Sequence, residues 1–168
     1  MEDKMSSLFP PIDEEGTISN CKRFLLRVFP RMLRISGLNS GNYDELIAGL
    51  QSPKMDGMPK APNHANNSDI SIVRRVYAQQ IVQMTVKAMG KCSATSKNVL
   101  SMLYLDGYTD TMCLLAVGYS HSQYFDKVKP KAILEFADVY ELDDLHIYAT
   151  DTDDLKRQKR QATKGTGL

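Results

Sequence analysis

The stretch that most narrows what this chain can fold into is Thr109 to Ala137, TDTMCLLAVGYSHSQYFDKVKPKAILEFA. It reads as a short helix, a tight turn at Val117-Gly118-Tyr119, and a longer helix opened by Ser120. Thr109 is placed to cap the first helix, with Asp110 near the positive end of its dipole. Gly118 stands where a turn between crossed helices needs a positive φ, which glycine adopts without steric penalty. Ser120 can cap the second helix through its hydroxyl. Tyr124, Val128 and Ala132 recur every fourth residue and predict one buried stripe, which turns His121, Ser122, Phe125 and Lys129 outward. Pro130 predicts a kink or a restart. This is the layout of a helix-turn-helix whose second helix enters a DNA major groove. Leu114 is bulkier than the residue many such motifs use at its position.

The rest of the chain reads as helices around that motif. From Thr17 to Ile35 an apolar face of Ile18, Cys21, Leu25, Val28, Met32 and Ile35 is expected, with a bend at Pro30. Arg23, Arg27, Arg31 and Arg34 form a basic row on another face. That row reads first as a solvated surface, and second as a phosphate contact or a dock for an acidic partner. The Pro- and acid-rich residues before Thr17 are expected to be poorly ordered. A short helix is expected over residues 43–50.

From Ser68 to Met89 a long helix is expected, with Ile70, Val73, Tyr77, Ile81, Met84 and Ala88 as its apolar face and Gly90 at its C-terminal end. Ser93 or Thr95 opens the next helix, and Val99, Leu100 and Leu103 point inward. Asp106-Gly107 closes it. A brief extended piece is expected at Leu145 to Tyr148, before a tail that turns from acidic to basic and is expected to be disordered. The fold class is therefore all-α: a small helical domain with a helix-turn-helix, plus an N-terminal basic helix. The division is an N-terminal helical segment (1–52), a Pro/Gly-rich loop (53–67), a DNA-binding domain (68–142) and a charged tail (143–168).

Charge and cysteine content narrow the function. The formal net charge is +1, so no global field recruits nucleic acid and any binding must come from local patches. Three cysteines, none in a CxxC spacing, argue for a reducing cytoplasm over a disulfide framework. No apolar run reaches membrane-spanning length, and the N-terminus begins acidic, unlike a secretory signal. No membrane partner is expected. Gly90 to Ser93 (GKCS) fails the phosphate-loop pattern, which wants Gly at Thr85 and Ser or Thr at Cys92. His64, His121 and His146 lie far apart and pair with no ligand at metal spacing. No nucleophile has a base beside it. The reading is against an enzyme, with no cofactor and no metal.

Two segments together resemble a known group. The loop SPKMDGMPKAPNHANN (Ser52 to Asn67) precedes a long helix and the turn AVGYSHSQYFDKVKPKAILEFA (Ala116 to Ala137). This order is similar to the ArpU family of phage-type transcriptional regulators, and the resemblance covers residues 52–140. The family resembles the promoter-reading fourth region of bacterial sigma factors. The resemblance implies a sequence-specific DNA-binding regulator of late phage or prophage genes. Double-stranded DNA is its partner, and RNA polymerase and a second copy in a homodimer are the further partners the reading admits. Recognition positions of such motifs fall on His121, Ser122, Gln123, Phe125, Asp126 and Lys129. The DNA-binding set read from motif and resemblance together is Ser120, His121, Ser122, Gln123, Phe125, Lys127, Lys129 and Lys131. The rival readings are a helical adaptor without DNA contact and the DNA-recognition subunit of a phage packaging terminase.

Overall fold

A computed structural model describes residues 8–38 and 67–149. The described chain is mainly helical, and its β pairing is limited to an isolated antiparallel bridge between Ile12 and Tyr148. The all-α expectation is borne out. The order is α1 (Glu14–Arg23), a π turn (Phe24–Val28), α2 (Phe29–Ser36), α3 (Asn67–Lys91), α4 (Ala94–Tyr104), α5 (Asp110–Val117), α6 (His121–Gln123), a second π turn (Tyr124–Val128) and α7 (Lys129–Val139). The helix expected at residues 43–50, the loop with Lys54 and Lys60, and the tail beyond residue 149 lie outside the described residues.

Two long rods, α1 through α2 and α6 through α7, each carry a proline in their interior. A proline has no N–H to donate, and its ring meets the carbonyl four residues back. Both rods meet this demand in the same way. Just before Pro30 the Phe29 N–H bonds to Phe24, and just before Pro130 the Lys129 N–H bonds to Tyr124, each spanning five residues. The widened turn makes room for the ring, so the bends expected from the sequence take the form of π turns.

The first π turn also corrects the expected apolar face. A π turn holds one more residue than an α turn, so the inward stripe advances by four across it. The buried residues are Thr17, Cys21, Leu25, Phe29, Leu33 and Ser36. Val28 and Ile35, expected inside, are each 37% exposed.

One core joins all the rods. Cys21, Leu25, Phe29 and Leu33 meet Val82, Val86 and Met89 of α3, Val99 and Leu100 of α4, Cys113 of α5, and Tyr124, Ala132, Ile133 and Phe136 of the last rod. Phe24, Phe136 and Tyr140 form an aromatic triangle with centroids 5.1 to 6.3 Å apart. In α3 the expected face holds only toward the C-terminal half. Ile81 and Ala88 are buried, together with Ala78, Val82, Thr85 and Met89, whereas Ile70, Val73 and Tyr77 are exposed. In the first half only Ala78 is buried: at helical spacing the side in line with the buried stripe carries Ser71, Arg74 and Arg75, so the apolar residues ahead of Ala78 are left facing out. Gly90 is not a terminal cap either: it lies within α3, which runs on to Lys91.

The residues before Thr17 are ordered where they meet α1. Asp13 caps that helix by accepting the Gly16 N–H, with Glu14 and Glu15 in the first turn. The acids expected to be poorly ordered are the opening of a helix. The extended piece expected at 145–148 is present and lies along α1. Asp13 N–H donates to the Ile147 carbonyl (2.7 Å), Ala149 N–H to Pro11 (2.9 Å), and Asn20 Nδ2 to Leu145 (2.9 Å). The hydroxyl of buried Thr17 accepts the Ile147 N–H at 3.0 Å.

His146 fastens this strap to α7. Its ring nitrogens lie 2.9 Å from Asp138 Oδ1 and 2.7 Å from Asp144 Oδ1. Burial works against the charged imidazole, but the hydrogen bonds and charges of Asp138 and Asp144 outweigh it and raise its pKa above the ordinary value. A raised folded pKa stabilises the fold fully below the unfolded histidine value of about 6.5, and that contribution fades as pH rises through the folded pKa. The melting-temperature difference between wild type and His146→Ala is therefore expected to be larger at pH 5 than at pH 9. Thermal unfolding followed by circular dichroism checks this, and a pH-independent difference would contradict it.

Candidate nucleic-acid interface

Local rules set the geometry of α5 and the last rod. Thr109 Oγ1 accepts the Met112 N–H at 3.3 Å and opens α5, with Asp110 in the first turn. Gly118 ends α5 at φ 73°, its N–H bonded to Leu114 at 3.1 Å. Ser120 then opens the rod through a reciprocal capping box. Its hydroxyl accepts the Gln123 N–H, and Gln123 Oε1 accepts the Ser120 N–H, each at 3.3 Å.

A polar clamp fixes the two helices against each other. Lys129 Nζ lies 2.7 and 2.8 Å from the two carboxylate oxygens of Asp110, and the Tyr124 hydroxyl donates to Asp110 Oδ1 at 3.0 Å. Tyr124 is fully buried, and burial first, then its hydrogen bonds with Cys113 and Asp110, push its phenol well above the ordinary tyrosine range. The phenol therefore stays a neutral donor.

The clamp corrects one expectation. Lys129 does not face outward: its side chain is 15% exposed and its ammonium is paired with Asp110. It crosses the Phe125 ring at 5.8 Å from the centroid on the way. A lysine beside a carboxylate at a neighbouring helix N-terminus finds a closer partner there than in solvent. The two residues are 19 apart in sequence, beyond any local rule.

The remaining predicted residues share the leading end of the rod. His121, Ser122, Gln123, Phe125, Asp126 and Lys127 are exposed, as is Ser120 in the turn before them. His121 leans on Phe125 with ring centroids 4.5 Å apart. Ser122 donates to Asp126 Oδ2 at 2.7 Å, which orients the carboxylate but leaves its negative charge at the exposed tip. Gln123 Oε1 belongs to the cap, and its amide nitrogen takes no part in those bonds. Lys131 is exposed, 3.8 Å from Glu135.

One further group was not singled out from the sequence. The first turn of α4 (Ser93 to Ser96) lines a cleft of about 340 Å³ with Tyr119, Lys127, Val128 and Lys131. Glu135 accepts the Ser93 N–H at 2.9 Å and its hydroxyl at 3.1 Å, and these bonds with one from Ser96, outweighing burial, lower its pKa. Two lysines thus face a helix N-terminus whose first donor is already bound. Ser93 was legible as a cap, but not its position beside Lys127.

The arginine row lies elsewhere on the molecule. Arg23 donates to Asn20, while Arg27, Arg31 and Arg34 are exposed. Arg31 and Ile35 of α2 line a cleft of about 680 Å³ with Ile70, Ser71, Arg74 and Arg75 of α3. Among the described residues no cluster of three or more His, Cys, Asp or Glu could hold a metal. Burial, then Asp138, pushes the Cys21 thiol up to about 12, and burial, then Glu135 and Asp138, pushes Cys92 to about 11. Neither is a thiolate near neutral pH. No described helix is long and apolar enough to cross a membrane.

Replacing Lys129 with alanine leaves Asp110 with Tyr124 alone. Lys129→Ala is expected to lower stability by about 1–2 kcal/mol, allowing for the solvent that reaches Asp110. Urea unfolding measures this, and an unchanged midpoint would show that the clamp does not hold the helices together.

No family model matches the chain, and no solved structure matches it. A curated relative does. The putative autolysin regulatory protein ArpU of Enterococcus hirae is 27% identical over 135 residues, covering 79% of this chain and 92% of the relative. The chain is thus similar, over most of its length, to a protein of the ArpU family whose motifs its own residues 52–140 resemble.

Proposed function

We propose that this chain is a regulatory protein that binds DNA in a sequence-specific way, with α5 and the last rod acting as a helix-turn-helix. The observation that carries this reading is the division of the last rod. Its Tyr124, Ala132, Ile133 and Phe136 side is buried, while its leading end from His121 to Lys127 projects a mixed polar and aromatic surface. A helix held rigidly at its base and bare at its tip suits insertion into a major groove. The regulatory sense comes from the ArpU relative, which its name describes as an autolysin regulatory protein.

His121 and Ser122 would read base edges, together with the free amide nitrogen of Gln123, and the Phe125 ring would pack on a thymine methyl. Lys127 and Lys131 would hold a phosphate in the cleft beside the α4 N-terminus, where it competes with Glu135 for Lys131 and for the Ser93 donors. Lys129, occupied by Asp110, sets the angle of the rod instead of contacting the backbone. Control of late phage or prophage genes, with RNA polymerase as co-partner, follows from the resemblance. The adaptor reading draws on exposed Met112 and Leu115 of α5, which offer a protein partner an apolar surface.

Enrichment from a random duplex library, followed by mobility-shift titration, separates the two. A DNA reader enriches a defined sequence, and an adaptor enriches none. In the Lys127→Ala/Lys131→Ala variant, affinity for the enriched duplex is expected to fall. The slope of log affinity against log salt should become shallower by about 0.9 for each lysine removed. His121→Ala should relax base preference with the slope unchanged. A slope that stays as steep in the double variant would place the phosphate contact elsewhere.

A further inference from the structure

The side of α3 that carries the buried stripe does not stay apolar toward the N-terminus. Three, four and seven residues before Ala78 stand Arg75, Arg74 and Ser71, so the face turned to α2 changes from aliphatic to basic. Arg31 of α2 meets it, and the three arginines line the cleft of about 680 Å³ with Ser71, Ile35 and Ile70. Arg75 reaches across the gap: its guanidinium lies against Gly37 at the end of α2, where a Cβ would come within 2.7 Å of it. None of the lining residues is acidic. Among the described residues no carboxylate pairs with Arg31, Arg74 or Arg75. At helical spacing Asp69 points to the opposite side of α3.

Like charges facing each other from two packed helices repel, and an anion between them turns that cost into attraction. The walls of the cleft say which anion. Ile35 and Ile70, 37% and 40% exposed, share the cleft with the arginines and gain burial only from an occupant with apolar side chains. Val73 and Tyr77, three and seven residues after Ile70, continue its side along the rim. A phosphodiester backbone offers charge without apolar side chains, and a lone phosphate would leave most of the volume empty. A peptide in which carboxylates alternate with aliphatic or aromatic side chains offers both. We propose that this cleft is the docking site for an acidic, apolar segment of a partner protein, its carboxylates held by the three guanidinium groups. Ser71 precedes Lys91, the last residue of α3, by 20 residues, or about 30 Å of helix. The basic cleft at Ser93 and Lys127 follows that end, so docking here does not depend on what the tip of the last rod binds.

Selection from a random peptide library on the immobilised full chain, with Arg31→Ala/Arg74→Ala/Arg75→Ala as the counter-target, tests this. The enriched peptides are expected to carry several carboxylates interspersed with apolar residues. In fluorescence anisotropy a synthetic copy should bind the triple variant about tenfold more weakly, as the loss of three partly exposed ion pairs implies, and with a shallower salt dependence. Arg31→Glu/Arg74→Glu spares the Arg75 contact with Gly37 and should lose binding with an unchanged melting temperature. Ile35→Ser should weaken binding while leaving the salt dependence as it was, the mark of an apolar wall. Enrichment of no acidic peptide, or undiminished peptide binding by both arginine variants, would overturn the proposal. Variants that keep the peptide but lose duplex DNA would overturn it too, and make the cleft a nucleic-acid contact.

Discussion

The interface candidate depends on a single carboxylate. Asp110 accepts from the buried Tyr124 hydroxyl and from the Lys129 ammonium, and so sits where α5, the turn and the last rod meet. A tyrosine hydroxyl taken out of water without a partner would cost free energy of the order of a few kcal/mol. Satisfying it at Asp110 lets the large ring lie at the centre of the core beside Cys113. The lysine neutralises the carboxylate, so the same three groups set the angle at which the tip of the rod leaves the body. Function at that tip, whatever its ligand, is tied to packing underneath it.

The turn was the most legible part of the chain, because its rules are local. Thr109, Gly118 and Ser120 each act through atoms within four residues, and each sits as its chemistry demands. The faces of the long helices were less legible. One widened turn ahead of Pro30 moved the inward stripe from Val28 and Ile35 to Phe29 and Ser36, and the sequence marks only the proline. In α3 the apolar side of the first half is not in line with the buried stripe of the second, so one continuous apolar face could not be read across both. Lys129 was misread for a related reason, since its partner lies across a turn where no spacing rule reaches. The Ser93 to Ser96 turn beside Lys127 and Lys131 was hidden in the same way, although each residue was visible by itself.

Both long rods solve the interior proline identically, with the π turn covering the five residues that end two before it. In each case the first residue of the wide turn, Phe24 or Tyr124, is an aromatic that packs toward the shared core. A wide turn leaves its backbone less tightly wound, and a ring packed against the core offsets that looseness. The proline thus localises the bend, and the aromatic holds it.

The strap along α1 bears on the order in which this fold can assemble. Ile12 and Asp13 are among the first described residues to leave a ribosome, yet their hydrogen-bonding partners at 147–149 are the last. Much of the α1 core is likewise contributed by α7. Synthesis delivers residues from the N-terminus at about 5–20 per second, so α1 spends several seconds without its final neighbours. Cys21 of α1, with Leu25 and Phe29 that follow it in the same rod, is then an uncovered apolar stripe open to misassociation until the final rod emerges.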